Sequence, residues 1–148
     1  MPPLKEGQNK MKVNKLNLKD NEIGAKRDRV SNNFYKEITI IDPSKATDDN
    51  LGRSNGTVAT FRFYWGSTVC HCVAWFFGKD QYGSGYGNAG GGGYCKESAA
   101  MQGALEQAGI KLSKNIHGVG GTAMREAAMT IGKKLSGKRK LYLHVAHQ

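Results

Sequence analysis

The sequence predicts an α+β domain of two layers, in which two helices cover one face of a mainly antiparallel sheet. Three observations predict it. Aromatic and β-branched residues alternate along 57–77 around a turn signal, two later stretches repeat apolar residues at helical spacing, and the last residues alternate again. The predicted order is β-β-β-α-α-β, in one domain over residues 34–148 that follows a basic N-terminal arm at 1–33.

The first strand is predicted at Phe34 to Ile41, "FYKEITII", where β-branched residues dominate. The stretch "DPSKATDDNLGRSNG" ends it, because Asp42-Pro43 and Asn55-Gly56 are typical turn dipeptides.

The second and third strands are predicted near 57–65 and 68–77. They flank Gly66-Ser67, and glycine in the first position of a two-residue loop favours a type II′ hairpin turn. The register that follows from this turn pairs Trp65 with Thr68, Phe63 with Cys70, Phe61 with Cys72 and Arg62 with His71.

Alternation along the hairpin divides its side chains between two faces. The predicted core face is almost entirely apolar: Ala59, Phe61, Phe63, Cys70, Cys72, Ala74 and Phe76. The other face mixes aromatic, basic and small residues: Thr60, Arg62, Tyr64, Val69, His71, Val73 and Trp75. Of these, Arg62, Tyr64, His71 and Trp75 are candidates for stacking bases and holding phosphates, unless another layer covers them.

Two helices are predicted after the hairpin. One has an apolar stripe of Ala100, Met101, Ala104, Leu105 and Ala108 and ends at Gly109. The other has a stripe of Met124, Ala127, Ala128, Ile131 and Leu135, with Thr122 as its N-cap and Gly137 as its end. The closing "KLYLHVAH" alternates as a last strand should.

Glycine precedes both predicted helices. Residues 83–93 contain seven glycines and predict a loop, and "GVGG" stands before the second helix. Helix N-termini present unpaired N–H groups, and missing Cβ atoms let an anion approach them, so this pattern predicts a phosphate site. The alternative is a structural loop. The candidate ligand-binding residues are Gly85, Tyr86, Gly87, Asn88, Gly91, Tyr94, Lys96, Gly120, Gly121, Thr122 and Arg125.

Charge also points to a polyanionic partner. The net charge is +10, and residues 111–148 carry eight lysines and arginines against one acid. The nucleic-acid alternative uses Lys133, Lys134, Lys138, Arg139 and Lys140. Three cysteines, with no long apolar run and no apolar N-terminal segment, predict a cytoplasmic protein that makes no membrane contact.

Several chemistries are disfavoured. The chain has no P-loop motif, and its G-x-G-x-x-G at residues 85–90 lacks the strand and acid of a dinucleotide site. Strand geometry points Cys70 and Cys72 away from His71, so no metal site is expected. No nucleophile, base and acid are seen to converge, which favours a binding protein without cofactors over an enzyme.

The stretches "GSGYGNAGGGGYCKESAA" and "IHGVGGTAMREAA" resemble small proteins of bacteriophages and mobile elements. The resemblance covers residues 83–135 and implies a host-takeover or anti-defence factor acting in the host cytosol.

The primary hypothesis is therefore a non-enzymatic protein that sequesters a phosphate-bearing ligand, such as a nucleotide or cyclic nucleotide signal, at two glycine-led helix starts. The alternatives are nucleic-acid binding through the basic termini and the aromatic and basic sheet face, and inhibition of a host defence enzyme by surface contact. Homo-oligomers are compatible with each.

Overall fold

A computed structural model describes residues 34–45, 56–66, 68–77, 82–90 and 96–147 of the 148-residue chain. They form a five-stranded antiparallel sheet and two helices, which confirms the predicted α+β class. The strands are β1 (Lys36–Ile41), β2 (Thr57–Gly66), β3 (Val69–Phe77), β4 (Tyr82–Ala89) and β5 (Tyr142–His147), and the helices are α1 (Lys96–Ala108) and α2 (Gly121–Ser136). The sheet order is β4-β3-β2-β1-β5. The predicted arm at 1–33 lies outside the described residues.

The β2–β3 hairpin has the predicted strands but a different register. Gly66 pairs with Val69, and Phe63 pairs with Cys72 rather than Cys70, a displacement of two residues from the predicted pairing. The predicted register is wrong because Gly66 continues the ladder instead of starting the loop; Ser67 lies outside the described residues. A displacement of two keeps every side chain on its predicted face, because strand side chains alternate with period two.

The core lies between the sheet and both helices. All seven residues of the predicted core face of the hairpin are fully buried there, and Phe61 packs edge-to-face on Phe76 with ring centroids 5.6 Å apart. Ile38 and Ile40 of β1 extend this layer beneath α2. Each buried Phe or Ile side chain of this layer contributes about 1.5–3 kcal/mol to stability by leaving water.

The glycine-rich segment is a strand over residues 82–89, so the predicted loop is wrong there. Gly85 and Gly87 of β4 face α1 at backbone distance: an ideal Cβ would lie 2.1 Å from the Ala104 carbonyl oxygen at Gly85 and 2.3 Å from the Ala100 oxygen at Gly87. Gly103 of α1 meets Gly87 from the other side. The glycines therefore let a helix backbone rest directly on a strand backbone.

The helix ends follow the predicted glycines, whereas one helix start does not follow its predicted cap. Gly109 and Gly137 have positive φ, of 83° and 74°, and Gly137 closes α2 by donating its N–H to the Lys133 carbonyl. Gly120 occupies the N-cap position of α2 and no side chain caps it. The predicted Thr122 cap is wrong because α2 begins at Gly121, which places the threonine inside the first turn.

Candidate nucleic-acid interface

Five partly buried side chains on the sheet face opposite the helices form what we call the aromatic face: Arg62 and Tyr64 of β2, His71 and Trp75 of β3, and Tyr86 of β4. They alternate with the core residues of the same strands, so strand geometry alone turns them away from α1 and α2. Four of the five are residues that the sequence assigned to this face.

Three rings of the aromatic face stack in a row across three strands. The Tyr64 and His71 ring centroids are 4.5 Å apart, and those of His71 and Tyr86 are 5.7 Å apart, with interplanar angles of 19° and 28°. The His71 Nδ1 and the Tyr86 hydroxyl share a hydrogen bond, and the Asn88 amide donates to that hydroxyl at 3.4 Å. The row thus combines ring surfaces with hydroxyl, amide and imidazole groups.

Arg62 holds one end of the aromatic face in place. Its guanidinium carbon lies 4.6 Å from the Phe34 ring centroid and 5.5 Å from that of Trp75, and its Nε donates to Glu37 Oε2 at 2.6 Å. Both charged side chains are about nine-tenths buried, with 13% and 11% exposure. The positive charge of Arg62 is therefore compensated, and phosphate attraction has to come from other residues.

Those residues are exposed cations in the last turn of α2 and in the segment after it, which we call the basic cluster: Lys133, Lys134, Lys138, Arg139 and Lys140. Lys138 Nζ lies 3.8 Å from Asp42 Oδ2, which places this part of the cluster where β1 ends. Hydrogen bonds from Ser44 lower the pKa of the Asp42 carboxyl, so it stays charged opposite Lys138.

β5 follows the basic cluster after Leu141. Every second side chain of β5 lies on the same side of the sheet as the aromatic face. His144 lies opposite Thr39, and Leu143 opposite the core residue Ile40, so alternation puts Tyr142 and His144 on the side away from the helices. Both are exposed, Tyr142 by 60%. Tyr142 and His144 therefore add one aromatic and one imidazole group to this side of the sheet at its β5 edge.

The predicted phosphate site does not assemble at β4. Strand alternation turns Gly85 and Gly87 into the contact with α1, and it turns Tyr86 and Asn88 to the opposite side of the sheet. Gly91 and Tyr94 lie outside the described residues. The four described β4 candidates thus divide between two faces and cannot contact one small ligand together.

The helix-start candidates have separate surroundings. Lys96, buried at the start of α1, donates from its ammonium to the Thr68 carbonyl at 3.1 Å and lies 5.2 Å from the Trp65 ring centroid. At the start of α2, Gly120 and Gly121 are exposed, as is Thr122. The Arg125 guanidinium also lies there, and its Nη1 is 3.5 Å from an ideal Cβ on Gly121.

The cysteines are core residues, as strand geometry predicted. Cys70 and Cys72 are fully buried, whereas His71 belongs to the aromatic face. Burial raises the pKa of the Cys70 thiol to about 11, an effect opposed by its contact with the Tyr35 hydroxyl. Within the described ranges no three His, Cys, Asp or Glu side chains come together as metal ligands would.

One polar cluster escaped the sequence analysis. Glu97, in the first turn of α1, accepts hydrogen bonds from the Tyr35 hydroxyl and from Lys36 Nζ, the latter at 2.6 Å. Burial and the contact with Glu97 raise the pKa of Tyr35, which also stacks on Trp65. The available signal was a carboxylate at a helix start, where the dipole favours it. The cluster fastens α1 to the beginning of β1.

Comparisons of the chain with protein-family models, curated proteins and solved structures return no match. The resemblance to phage and mobile-element proteins therefore stays a prediction. Neither described helix is both long enough and apolar enough to cross a membrane.

Proposed function

We propose that this protein binds single-stranded nucleic acid, with the aromatic face contacting bases and the basic cluster contacting phosphates. The observation that carries the proposal is the stacked row of Tyr64, His71 and Tyr86, set on a sheet whose other face holds the helices. A cytoplasmic location would suit such a partner.

The chemistry of the row favours unpaired bases. A base that stacks on an aromatic side chain gains about 1–3 kcal/mol, whatever its identity, and this requires bases that are not enclosed in a duplex. The Asn88 amide, which is exposed and donates to the Tyr86 hydroxyl at 3.4 Å, lies at the edge of the row. These are binding functions, and none requires a catalytic group.

The basic cluster supplies the exposed positive charge that the aromatic face lacks. Arg62 forms an ion pair with Glu37, whereas Arg139 and Lys140 are exposed in the segment that precedes β5. Each phosphate neutralised by such a cation releases counterions, which gives affinity without sequence preference.

The phosphate-bearing small ligand is the weaker alternative. Among the described residues, the start of α2 remains as a candidate phosphate site, with Gly120, Gly121 and Arg125. The space beside Gly85 and Gly87 is occupied by the backbone of α1. A helix N-terminus without a further ligand-directed group is a general feature of helices.

The test is fluorescence anisotropy with a labelled 20-nucleotide single strand and with the matching duplex, both as DNA and as RNA. We expect a single strand to bind more tightly than its duplex. Tyr64→Ala and Tyr86→Ala should each weaken binding of the single strand about ten-fold, the equivalent of one lost stacking contact.

A matched pair of double variants tests the basic cluster. Arg139→Ala with Lys140→Ala should weaken binding, whereas Lys111→Ala with Lys114→Ala, which removes the same charge from the loop between the helices, should have a smaller effect. Lys138 is retained because of its contact with Asp42. Equal losses in both double variants, or duplex binding as tight as single-strand binding, would overturn the proposal. Tight binding of a mononucleotide, lost in Gly121→Val, would favour the alternative.

A further inference from the structure

Among the described residues, β5 is an edge strand without the usual protection. It pairs with β1 on one side, and no other described strand pairs with its other side. Natural edge strands avoid pairing with other chains by carrying lysine, proline, an inward charge or a bulge. The six residues of β5, YLHVAH, contain no lysine, arginine, acid or proline, and the register with β1 is regular from end to end.

The edge is also incompletely covered. Leu143 and Val145 point to the helix side and pack against the core, yet both remain partly exposed. The main contacts of α2 are with β1, β2 and β3, so the helix layer is centred away from β5. A further strand beside β5 would satisfy its outer backbone groups and cover these two side chains.

The other edge of the sheet is less suited to pairing. β4 has glycine at three of its eight positions, residues 83, 85 and 87, and glycine is a poor strand former with no side chain for cross-strand contact. Any pairing between copies is therefore expected at β5.

We propose that two copies of this chain pair through β5, antiparallel and with each His144 opposite its own copy, to form one ten-stranded sheet. This register places Leu143 of one copy opposite Val145 of the other, twice, so apolar side chains meet on the helix side. The contact is isologous and closes at two copies. The inference needs only β5, and it stands apart from nucleic-acid binding.

Charge favours the antiparallel arrangement. In each copy, Leu141 alone separates the basic residues 138–140 from β5. Antiparallel pairing places the two basic segments at opposite ends of the seam, about 27 Å apart, because Lys140 lies four residues from His144 in each copy and each residue spans ~3.4 Å. This exceeds the Debye length of about 8 Å at physiological ionic strength, so their repulsion is screened. Parallel pairing would set them side by side.

The dimer has a consequence for the proposed function. A two-fold axis perpendicular to the sheet keeps both aromatic faces on one side and roughly doubles the width of that surface, to about 48 Å at ~4.8 Å per strand. A long single strand should then bind two chains.

Sedimentation equilibrium tests the pairing directly. We expect the mass to rise with concentration from that of the 16.1 kDa chain to twice that value. Val145→Lys should keep the chain monomeric, because it adds an inward charge to the edge. Thr130→Lys, which adds the same charge on the exposed side of α2, should dimerise as the original chain does.

Cysteine crosslinking tests the register. In a Cys95→Ser background, where Cys70 and Cys72 are buried, His144→Cys should form a disulfide-linked dimer on mild oxidation. Facing Cα atoms in an antiparallel pair are about 4.5–5.5 Å apart, which is within the range that a disulfide spans. Ala146→Cys should not crosslink, because its copies would be about 14 Å apart.

A chain that stays monomeric at high concentration overturns the inference even if it binds nucleic acid. So does a dimer that crosslinks at residue 146 rather than residue 144, or one that Val145→Lys leaves intact. A dimer that crosslinks at residue 144 supports it even if nucleic-acid binding fails.

Discussion

Gly87 brings the backbone of β4 into direct contact with the backbone of α1. A run of glycines indicates that something approaches the backbone closely, but it does not say whether that is a ligand or another part of the chain. Here the approaching group is α1, whose Ala100 carbonyl would meet a Cβ at 2.3 Å. The same strand presents Tyr86 to the aromatic face one residue away.

Gly87→Ala should therefore destabilise the fold, by about 1–3 kcal/mol or more, because the contacting atoms are helix backbone and cannot rotate away. Gly90→Ala is the matched control, since its Cβ would meet only Val69 Cγ2 at an ordinary 3.7 Å. Urea unfolding measures both. Similar unfolding midpoints for the two variants would contradict the packing of α1 on β4.

Cys70 gives a pH prediction. Burial raises the pKa of its thiol to about 11, while an exposed thiol in the unfolded chain has a pKa of about 8.5. The native state thus keeps the proton longer, and this contribution is fully present below about pH 8.5 and is lost as the pH rises towards about 11. Between those values the free energy of unfolding should fall more steeply in the original chain than in Cys70→Ala. Equal slopes in urea unfolding across that range would contradict it.

Among the elements, those with a side-chain pattern were predictable and β4 was not. Alternation located β2, β3 and β5, and helical spacing located α1 and α2, because a buried face imposes a period on the sequence. β4 carries glycine where its buried side chains would be, so it leaves no apolar period to detect. The hairpin register was missed because Gly66 can end a ladder or begin a loop.

The aromatic face, too, was predictable where a side-chain pattern exists and unpredictable where none does. Alternation assigned Tyr64, His71, Trp75 and Arg62 correctly, since their faces survive a displacement of two residues. Tyr86 could be added to the row only once β4 was known to be a strand. The ion pair of Arg62 with Glu37 depends on the pairing of β1 with β2, which no local pattern specifies.

The start of α2 supplies a prediction at this scale. Its N-cap position is Gly120, and no side chain caps the helix. Thr122→Ala should change the free energy of unfolding by no more than about 0.5 kcal/mol, as for an exposed surface residue, whereas removal of a true threonine cap costs about 1 kcal/mol. Thermal or urea unfolding distinguishes the two; a loss of about 1 kcal/mol would restore Thr122 as a cap.

The whole molecule combines a strongly positive charge with an unequal distribution of it. Residues 34–110, which contain β1 to β4 and all of α1, carry six lysines and arginines against seven acids, while residues 111–148 carry eight against one. Arg62 of the aromatic face is paired with Glu37, and the basic cluster lies apart from the stacked rings, where β1 ends near Asp42. Such an arrangement divides recognition between base stacking on one part of the surface and phosphate contacts on another.

The most direct test of this division is the salt dependence of single-strand binding, measured for the original chain and for the Arg139→Ala, Lys140→Ala double variant. Each phosphate contact contributes about 0.7 to the slope of log K against log salt concentration for a single strand. We predict binding that weakens steeply with salt, and a slope shallower by about 1.4 in the double variant. In Tyr86→Ala the affinity should fall while the slope stays unchanged. Absence of binding at low salt, or a slope that the double variant leaves unaltered, would contradict the account.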